Sequence, residues 1–181
     1  MIRSTDLYFK RIRDIKEEMY PFFQSIYSVS FPLHEQRSEE QQLMAFKDSR
    51  YFLCGVSEDE KLIAFIAYWE FEDYIYIEHF AVHPEQRGKN IGSKILNVFA
   101  DRIKKTILLE IDPLVDSVSN KRLEFYRRLG YKANPYSHFH PPYIRGHKPH
   151  ELMMLSLNRE IDQAFYNRFY DDLVRVVMKP E

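Results

Sequence analysis

The sequence has a single cysteine, Cys54, which excludes an internal disulfide and a cysteine metal cluster. Cys54 lies in an apolar run, where a buried small side chain is expected rather than a nucleophile. No apolar stretch approaches about 18 residues, so no membrane-spanning helix is expected. Neither charge sign dominates. The net charge is −1, which gives no global drive toward nucleic acid or an anionic membrane, so any anion site must be local. The first residues, Met1 to Lys16, lack the apolar centre of a secretion signal, and a cytoplasmic protein is the expectation. There is no internal repeat, linker-like composition or low-complexity run.

What is present is ample apolar material. The 181 residues, 45% hydrophobic and 29% charged, suit one folded domain with a sizeable core. Residues 1–12 are compatible with a first strand or a helix start. Ile15, Met19, Phe22, Phe23, Ile26 and Tyr27 recur at helical spacing, with a kink or break expected at Pro21. Ser38 and Gln41 form a capping-box start for a short helix. Tyr51–Val56, Leu62–Phe71 and Tyr74–Val82 read as three strands in close succession, hence an antiparallel meander. The Ser57–Lys61 turn contains no glycine. Ile91, Ile95, Val98, Phe99 and Ile103 mark a helix, and Thr106–Ile111 a strand, which together favour a parallel crossover. Leu123–Leu129 reads as a helix stopped by Gly130. Residues 134–150 read as a long loop, and Glu151–Leu157 as the last strand. A terminal amphipathic helix follows at about residues 160–177. The fold class expected is mixed α/β, one domain over residues 1–181 with a core to about residue 157.

The stretch Glu78 to Ile95 organises the functional reading. An apolar strand runs into Arg87-Gly88-Lys89-Asn90-Ile91-Gly92 and then into a helix. Such a passage directs backbone N–H groups and the positive helix end at one spot, a site for a phosphorylated ligand. Gly88 permits an unusual turn, Asn90 tolerates a left-handed conformation, and Gly92 allows close approach. Arg87 and Lys89 supply charged donors. An ordinary basic helix start is the alternative for this stretch taken alone.

With Phe80-Ala81-Val82-His83-Pro84 before it, the stretch resembles the acetyl-CoA-binding segment of the GNAT acyltransferase superfamily. Asn90 departs from the glycine usual there. A second segment, Phe125 to Tyr131, resembles the family's Tyr-x-x-x-Gly-Phe/Tyr helix end. The resemblance covers most of residues 51–157. It implies a mixed sheet with antiparallel N-terminal strands and a splayed parallel pair, the terminal helix being an addition. It implies that Arg87 to Gly92, with Ser93, hold the CoA pyrophosphate, and that pantetheine lies beside Phe80, Ala81 and Val82. It makes Tyr126 the candidate donor to the departing thiolate. The family's asparagine seven residues before that tyrosine is replaced by Ser119, with Asn120 next to it as the candidate cofactor contact.

The activity implied is acetyl transfer to a primary amine by direct attack in a ternary complex. A CoA-binding regulatory module without transfer is the alternative. The candidate bases are Glu78 first and Glu110 second. His79, one residue from Glu78 on a strand, is expected on the opposite face and packed or hydrogen-bonded. Phe31 and Glu35 between the first helices, and Tyr136, His138 and Tyr143 in the later loop, are candidates for the acceptor site. Four histidines at 138, 140, 147 and 150 raise a metal question, but with no cysteine and no nearby carboxylate except Glu151 a closed site is not supported and no metal is expected. The expected partners are thus a small-molecule or peptide amine, with neither nucleic acid nor membrane. The terminal helix is a candidate for homodimer formation or for covering the core.

Overall fold

Apolar runs with β-branched and aromatic residues make the strands, and apolar positions three and four apart make the helices. The computed structural model describes residues 7–179, in two compact units that divide between Lys105 and Thr106. In the first unit, strand β1 is Leu7–Ile12 and helix α1 is Tyr20–Ser30. Helix α2 is Glu39–Phe46. Strands β2, β3 and β4 are Tyr51–Glu58, Lys61–Glu70 and Tyr74–Val82, and helix α3 is Ile91–Arg102. β1, β2 and β3 each pair antiparallel with the strand that follows.

Pro21 does not kink a helix. It sits in the first turn of α1, where a missing N–H breaks no intrahelical bond, so the helix begins there instead of running through it. Ile15 and Met19 precede it in turns. The α2 capping box forms as expected: Gln41 N–H donates to Ser38 Oγ at 3.1 Å, and Ser38 N–H donates to Gln41 Oε1 at 2.8 Å. The β2–β3 hairpin closes on two residues, Asp59 and Glu60, with φ of 47° and 64°. The core of this unit is lined by Phe23, Ile26, Leu53, Val56, Phe65 and Ile66, all nearly or wholly buried. Each such side chain contributes about 1.5–3 kcal/mol through burial.

β4 carries one irregularity that matters for function. Its register on β3 steps from Ala67↔His79 to Tyr68↔Ile77, so Glu78 is the extra residue of a β-bulge. The strict alternation expected for Glu78 and His79 is broken there.

In the second unit, β5 is Thr106–Ile111, α4 is Ser117–Arg128 and β6 is Tyr131–Ala133. β7 is His138–His140, β8 is His150–Leu157 and α5 is Gln163–Asp172, continued by a π-helical turn at Leu173–Val177. β8 pairs antiparallel with β5, β6 and β7. Gly130, at φ 93°, ends α4 as expected, donating its N–H to the Arg127 carbonyl at 2.9 Å.

The span 134–150 is not wholly a loop, since it contains β7. Its pattern is inverted: His138 and His140 are buried and Phe139 is exposed. Polar residues inside and an aromatic outside hide a strand from any reading of apolar alternation. Along α5 and its extension, Tyr166, Phe169, Leu173 and Val177 are buried, and the rings of Tyr166 and Phe169 lie 5.7 and 6.0 Å from that of His138. Among the described residues no helix is long and apolar enough to cross a membrane.

Candidate active site

The β4–α3 passage has the geometry of an anion cradle. Gly88 has φ 77°, and a Cβ added there would meet nothing within 4 Å. Asn90 takes the left-handed conformation, φ 59° and ψ 13°, at the N-cap of α3, and its side chain does not cap the helix. The first-turn amides of Ile91, Gly92 and Ser93 therefore donate no hydrogen bond to the Asn90 side chain. Residues 87–90 are exposed. Arg87 folds back along the strand: Nε donates to the Val82 carbonyl at 3.0 Å and Nη2 to Ser30 Oγ at 2.8 Å. Lys89 Nζ donates to the Glu85 carbonyl at 3.2 Å. The cationic side chains thus brace the turn and raise its local potential. These residues fit a pyrophosphate held by main-chain N–H groups. Upstream, Ala81 is buried while Phe80 and Val82 are half-buried.

In the second unit, α4 opens on another capping box. Asp116 accepts from Ser119 N–H at 2.7 Å. Its carboxyl is held below the usual Asp range, first by that backbone N–H and then by the Ser119 hydroxyl. Ser119 is buried and committed to this cap, and exposed Asn120 turns its amide to the Asp116 carbonyl at 2.6 Å. Tyr126, near the other end of α4, is half-buried, its ring edge-on to Phe125 and Tyr131. Burial pushes its phenol up to about 12, with Arg122 pulling slightly the other way. Tyr126 therefore carries its proton throughout the neutral range.

The two candidate carboxylates sit in different company. Glu78 has a wholly buried side chain. Its Oε1 accepts from Arg37 Nε at 2.9 Å and lies 2.8 Å from Arg37 Nη2, while Oε2 accepts from Trp69 Nε1 at 2.7 Å. The Arg37 guanidinium also lies 5.6 Å from the centre of the Trp69 ring. His79 Nε2 is 2.9 Å from the Glu35 carbonyl, which only accepts, so Nε2 bears the hydrogen. Its Nδ1 is 3.9 Å from Glu78 Oε1, so the bulge has brought neighbouring side chains together. Tyr27 and Tyr51 have their phenols pushed up, by burial first and by the Glu78 charge second.

Glu110, on β5, is nearly buried and hydrogen-bonded through Oε1 to His138 Nε2. His138 Nδ1 lies 2.9 Å from the Tyr166 hydroxyl, and His140 Nε2 is 3.8 Å from Glu110 Oε2. Burial, then Tyr170 and Glu110, push the Tyr166 phenol up to about 12, so it stands as a neutral hydroxyl beside the imidazole. The result is a carboxylate–imidazole–phenol chain.

The remaining candidates fall as follows. Phe31 is half-buried with its ring 4.7 Å from that of His79, and Glu35 carries a partly exposed side chain. Tyr136 donates its hydroxyl to the Ile161 carbonyl at 2.6 Å and stacks on Tyr166. His138 is fully buried, and buried Tyr143 stacks on His140. Of the four histidines, 138 and 140 share Glu110, and His147 is exposed. Among the described residues no group of three or more His, Cys, Asp or Glu is placed to hold a metal ion. The sequence gives Trp69 and Tyr166 no role, and it places Arg37 only at the end of the Phe31–Arg37 segment expected to wall the acceptor site. Arg37 lies 41 residues from Glu78, and Tyr166 lies 28 from His138, so no local spacing announces either pair.

Comparison with known proteins places this geometry. The model of the acetyltransferase (GNAT) family matches residues 12–131, well over half of the chain. The protein YjbC of Bacillus subtilis (strain 168) is 28% identical over 104 residues, 56% of this chain and 52% of that protein. The chain therefore spans about half the length of this curated relative. A solved GNAT-family structure from Bacteroides thetaiotaomicron superposes with a TM-score of 0.89 at 24% identity, covering 96% of this chain and 99% of that one. Arabidopsis thaliana Naa50, solved with the bisubstrate analogue CoA-Ac-MVNAL, superposes with a TM-score of 0.59 at 18% identity, covering 83% and 97%. At these identities the two structures speak to the fold. The family match, the cradle at Arg87–Ser93 and the mixed α/β architecture agree, and the chain belongs to the GNAT acetyltransferase family.

Proposed function

We propose that this protein is a cytoplasmic N-acetyltransferase that acts as one GNAT-like domain over residues 1–181 and moves an acetyl group from acetyl-CoA to a primary amine. The observation that carries this reading is the left-handed turn at Gly88 and Asn90, opening α3 with no side-chain cap from Asn90, in a chain of this family. When bound, acetyl-CoA supplies the activated acyl group as a thioester. The amides from Gly88 to Ser93 hold its pyrophosphate, with Arg87, whose own N–H is on the Pro84 carbonyl, bracing the turn, and the edge of β4 at Phe80, Ala81 and Val82 orients its arm.

Tyr126 keeps a proton for the departing thiolate. A phenol raised to about 12 is a weaker acid than a thiol of reference pKa about 8.5, so Tyr126 steadies the developing thiolate by a hydrogen bond and the proton that settles on sulfur is made good from solvent. Glu110 takes the amine proton, with His138 and Tyr166 behind it as a hydrogen-bonded reserve. An imidazole can share an incoming proton with its carboxylate, which a guanidinium cannot. Phe31 and Glu35 meet the acceptor. Tyr136, His138 and Tyr143 shape and support the Glu110 side rather than touch the acceptor. Asn120, its amide already on the Asp116 carbonyl, is at most a peripheral cofactor contact.

Calorimetric titration with acetyl-CoA, followed by a free-thiol assay over an amine panel, tests this. The panel holds spermidine, amino acids and peptides with free N-termini. Saturable binding with thiol release for one amine class is expected. Absence of acetyl-CoA binding would overturn the reading. Binding without release across the panel would leave a CoA-binding module.

A further inference from the structure

We infer that Glu78 is a positioning residue: with Arg37 and Trp69 it forms a buried clamp that fastens residues 31–37 to the β4 bulge. The name given to that segment, the acceptor side, rests on the function proposed above. The clamp itself rests on geometry within the first unit.

The segment is fastened repeatedly, and always to the same neighbourhood. The Arg37 side chain meets Glu78, and the Arg37 N–H donates to the Tyr27 hydroxyl at 2.8 Å. The Glu35 carbonyl accepts from His79 at 2.9 Å. The Phe31 ring packs edge-on to His79, and Gln36 Nε2 closes the segment on the Phe31 carbonyl at 2.6 Å. Between these anchors Pro32, Leu33 and His34 are exposed, Leu33 at 76%. A loop pinned at its flanks and open at its tip is a formed surface rather than a solvated connector. The bulge makes this possible, because only an extra residue in β4 lets Glu78 and His79 serve one segment together.

The same geometry argues against Glu78 as the proton acceptor. Both carboxylate oxygens receive fixed donors, and the side chain is shut from solvent. Arginine stays charged at every relevant pH. A proton on Glu78 would leave a nearly buried guanidinium facing a neutral acid, the arrangement that makes broken buried ion pairs so costly. A base that must dismantle its own scaffold each turnover is poorly suited to the work.

The pair logic gives the test. Removing one member of a buried ion pair harms the fold more than replacing both. Glu78→Gln, Arg37→Gln, the double variant and Trp69→Phe would be compared in the full chain. Trp69 is the sole tryptophan, so its emission reads the clamp directly in the first three. Each single substitution is expected to lower the thermal midpoint and to shift Trp69 emission. With spermidine and a free-N-terminus pentapeptide as acceptors, the loss should fall on acceptor KM, about tenfold, more than on kcat. The double variant should recover at least half of the thermal and KM losses of Glu78→Gln. The KM for acetyl-CoA should stay constant throughout.

The inference is overturned if Glu78→Gln keeps the wild-type midpoint and emission, loses kcat by about 100-fold or more with the acidic limb of its pH profile, and gains nothing from Arg37→Gln. No proton acceptor is restored by deleting a distant arginine. Should Glu78→Gln fail to fold, Arg37→Lys keeps the charge but loses the fork. It is expected to shift emission and acceptor KM in the same direction, and wild-type values there would refute the clamp. If the wild-type protein transfers acetyl to neither probe, the thermal and fluorescence cycle still decides the clamp on its own.

Discussion

Two buried acidic residues in this chain have opposite surroundings. Glu78 faces a permanent cation and an indole N–H, whereas Glu110 faces imidazoles backed by a phenol. The first set is made of donors only, and the second offers ring nitrogens that can either donate or accept. Burial and hydrogen bonding alone would have ranked the two alike. The titration behaviour of the partner separates a carboxylate that holds structure from one equipped to take part in chemistry.

The largest effect should come from Glu110→Gln, which keeps the shape of the side chain and removes its proton affinity. Transfer at saturating acetyl-CoA is expected to fall by about 10² to 10⁴ while the thermal midpoint changes little. A fall of less than threefold would erase the contrast. Glu78→Ala should do the reverse and be mainly a stability lesion, with about 3–5 kcal/mol lost in urea unfolding because Arg37 is left buried without its anion. Tyr126→Phe should lower kcat by about tenfold with acetyl-CoA affinity unaltered, since a thiolate with pKa near 8.5 is readily protonated by water as well.

Tyr126 also carries a pH signature. Its phenol is raised to about 12 by burial, so its contribution to stability is complete below pH about 10 and is lost as pH climbs toward 12. Thermal midpoints measured from pH 9 to 12 should fall less steeply in Tyr126→Phe than in the parent. A smaller change is expected at the cradle. Asn90→Ala keeps the Cβ but loses the amide that lets asparagine tolerate a left-handed conformation, at no more than about 1 kcal/mol, and acetyl-CoA affinity should drop with it. Asn90→Gly should retain affinity, and if both substitutions behave alike the left-handed backbone is not what shapes the site.

The parts of this molecule written in short spacings were readable in advance. The meander from Tyr51 to Val82, the Ser38–Gln41 box, the Gly130 stop and the left-handed Asn90 all depend on residues within a few positions of one another. The family resemblance came from two such local segments. What escaped were features set by distant partners or by inverted patterns. Pro21 was placed mid-helix because Ile15 and Met19 continue the spacing, although proline is better tolerated in a first turn. β7 was missed because its buried residues are histidines. The bulge at Glu78 was missed because nothing in a single strand's sequence records the register of its neighbour. Arg37 found its role only once the chain had folded back across 41 residues.

The β2–β3 hairpin offers a way to make these measurements easier. Asp59 and Glu60 both hold positive φ in a two-residue turn, a place where the second position favours glycine. Glu60→Gly should raise stability by about 1 kcal/mol without touching any candidate site residue, as read by the urea midpoint. An unrelaxed corner of this kind is an unused reserve. A chain carrying Glu60→Gly would be a sturdier parent in which the damaging variants of Glu78 and Arg37 stay folded long enough to be assayed.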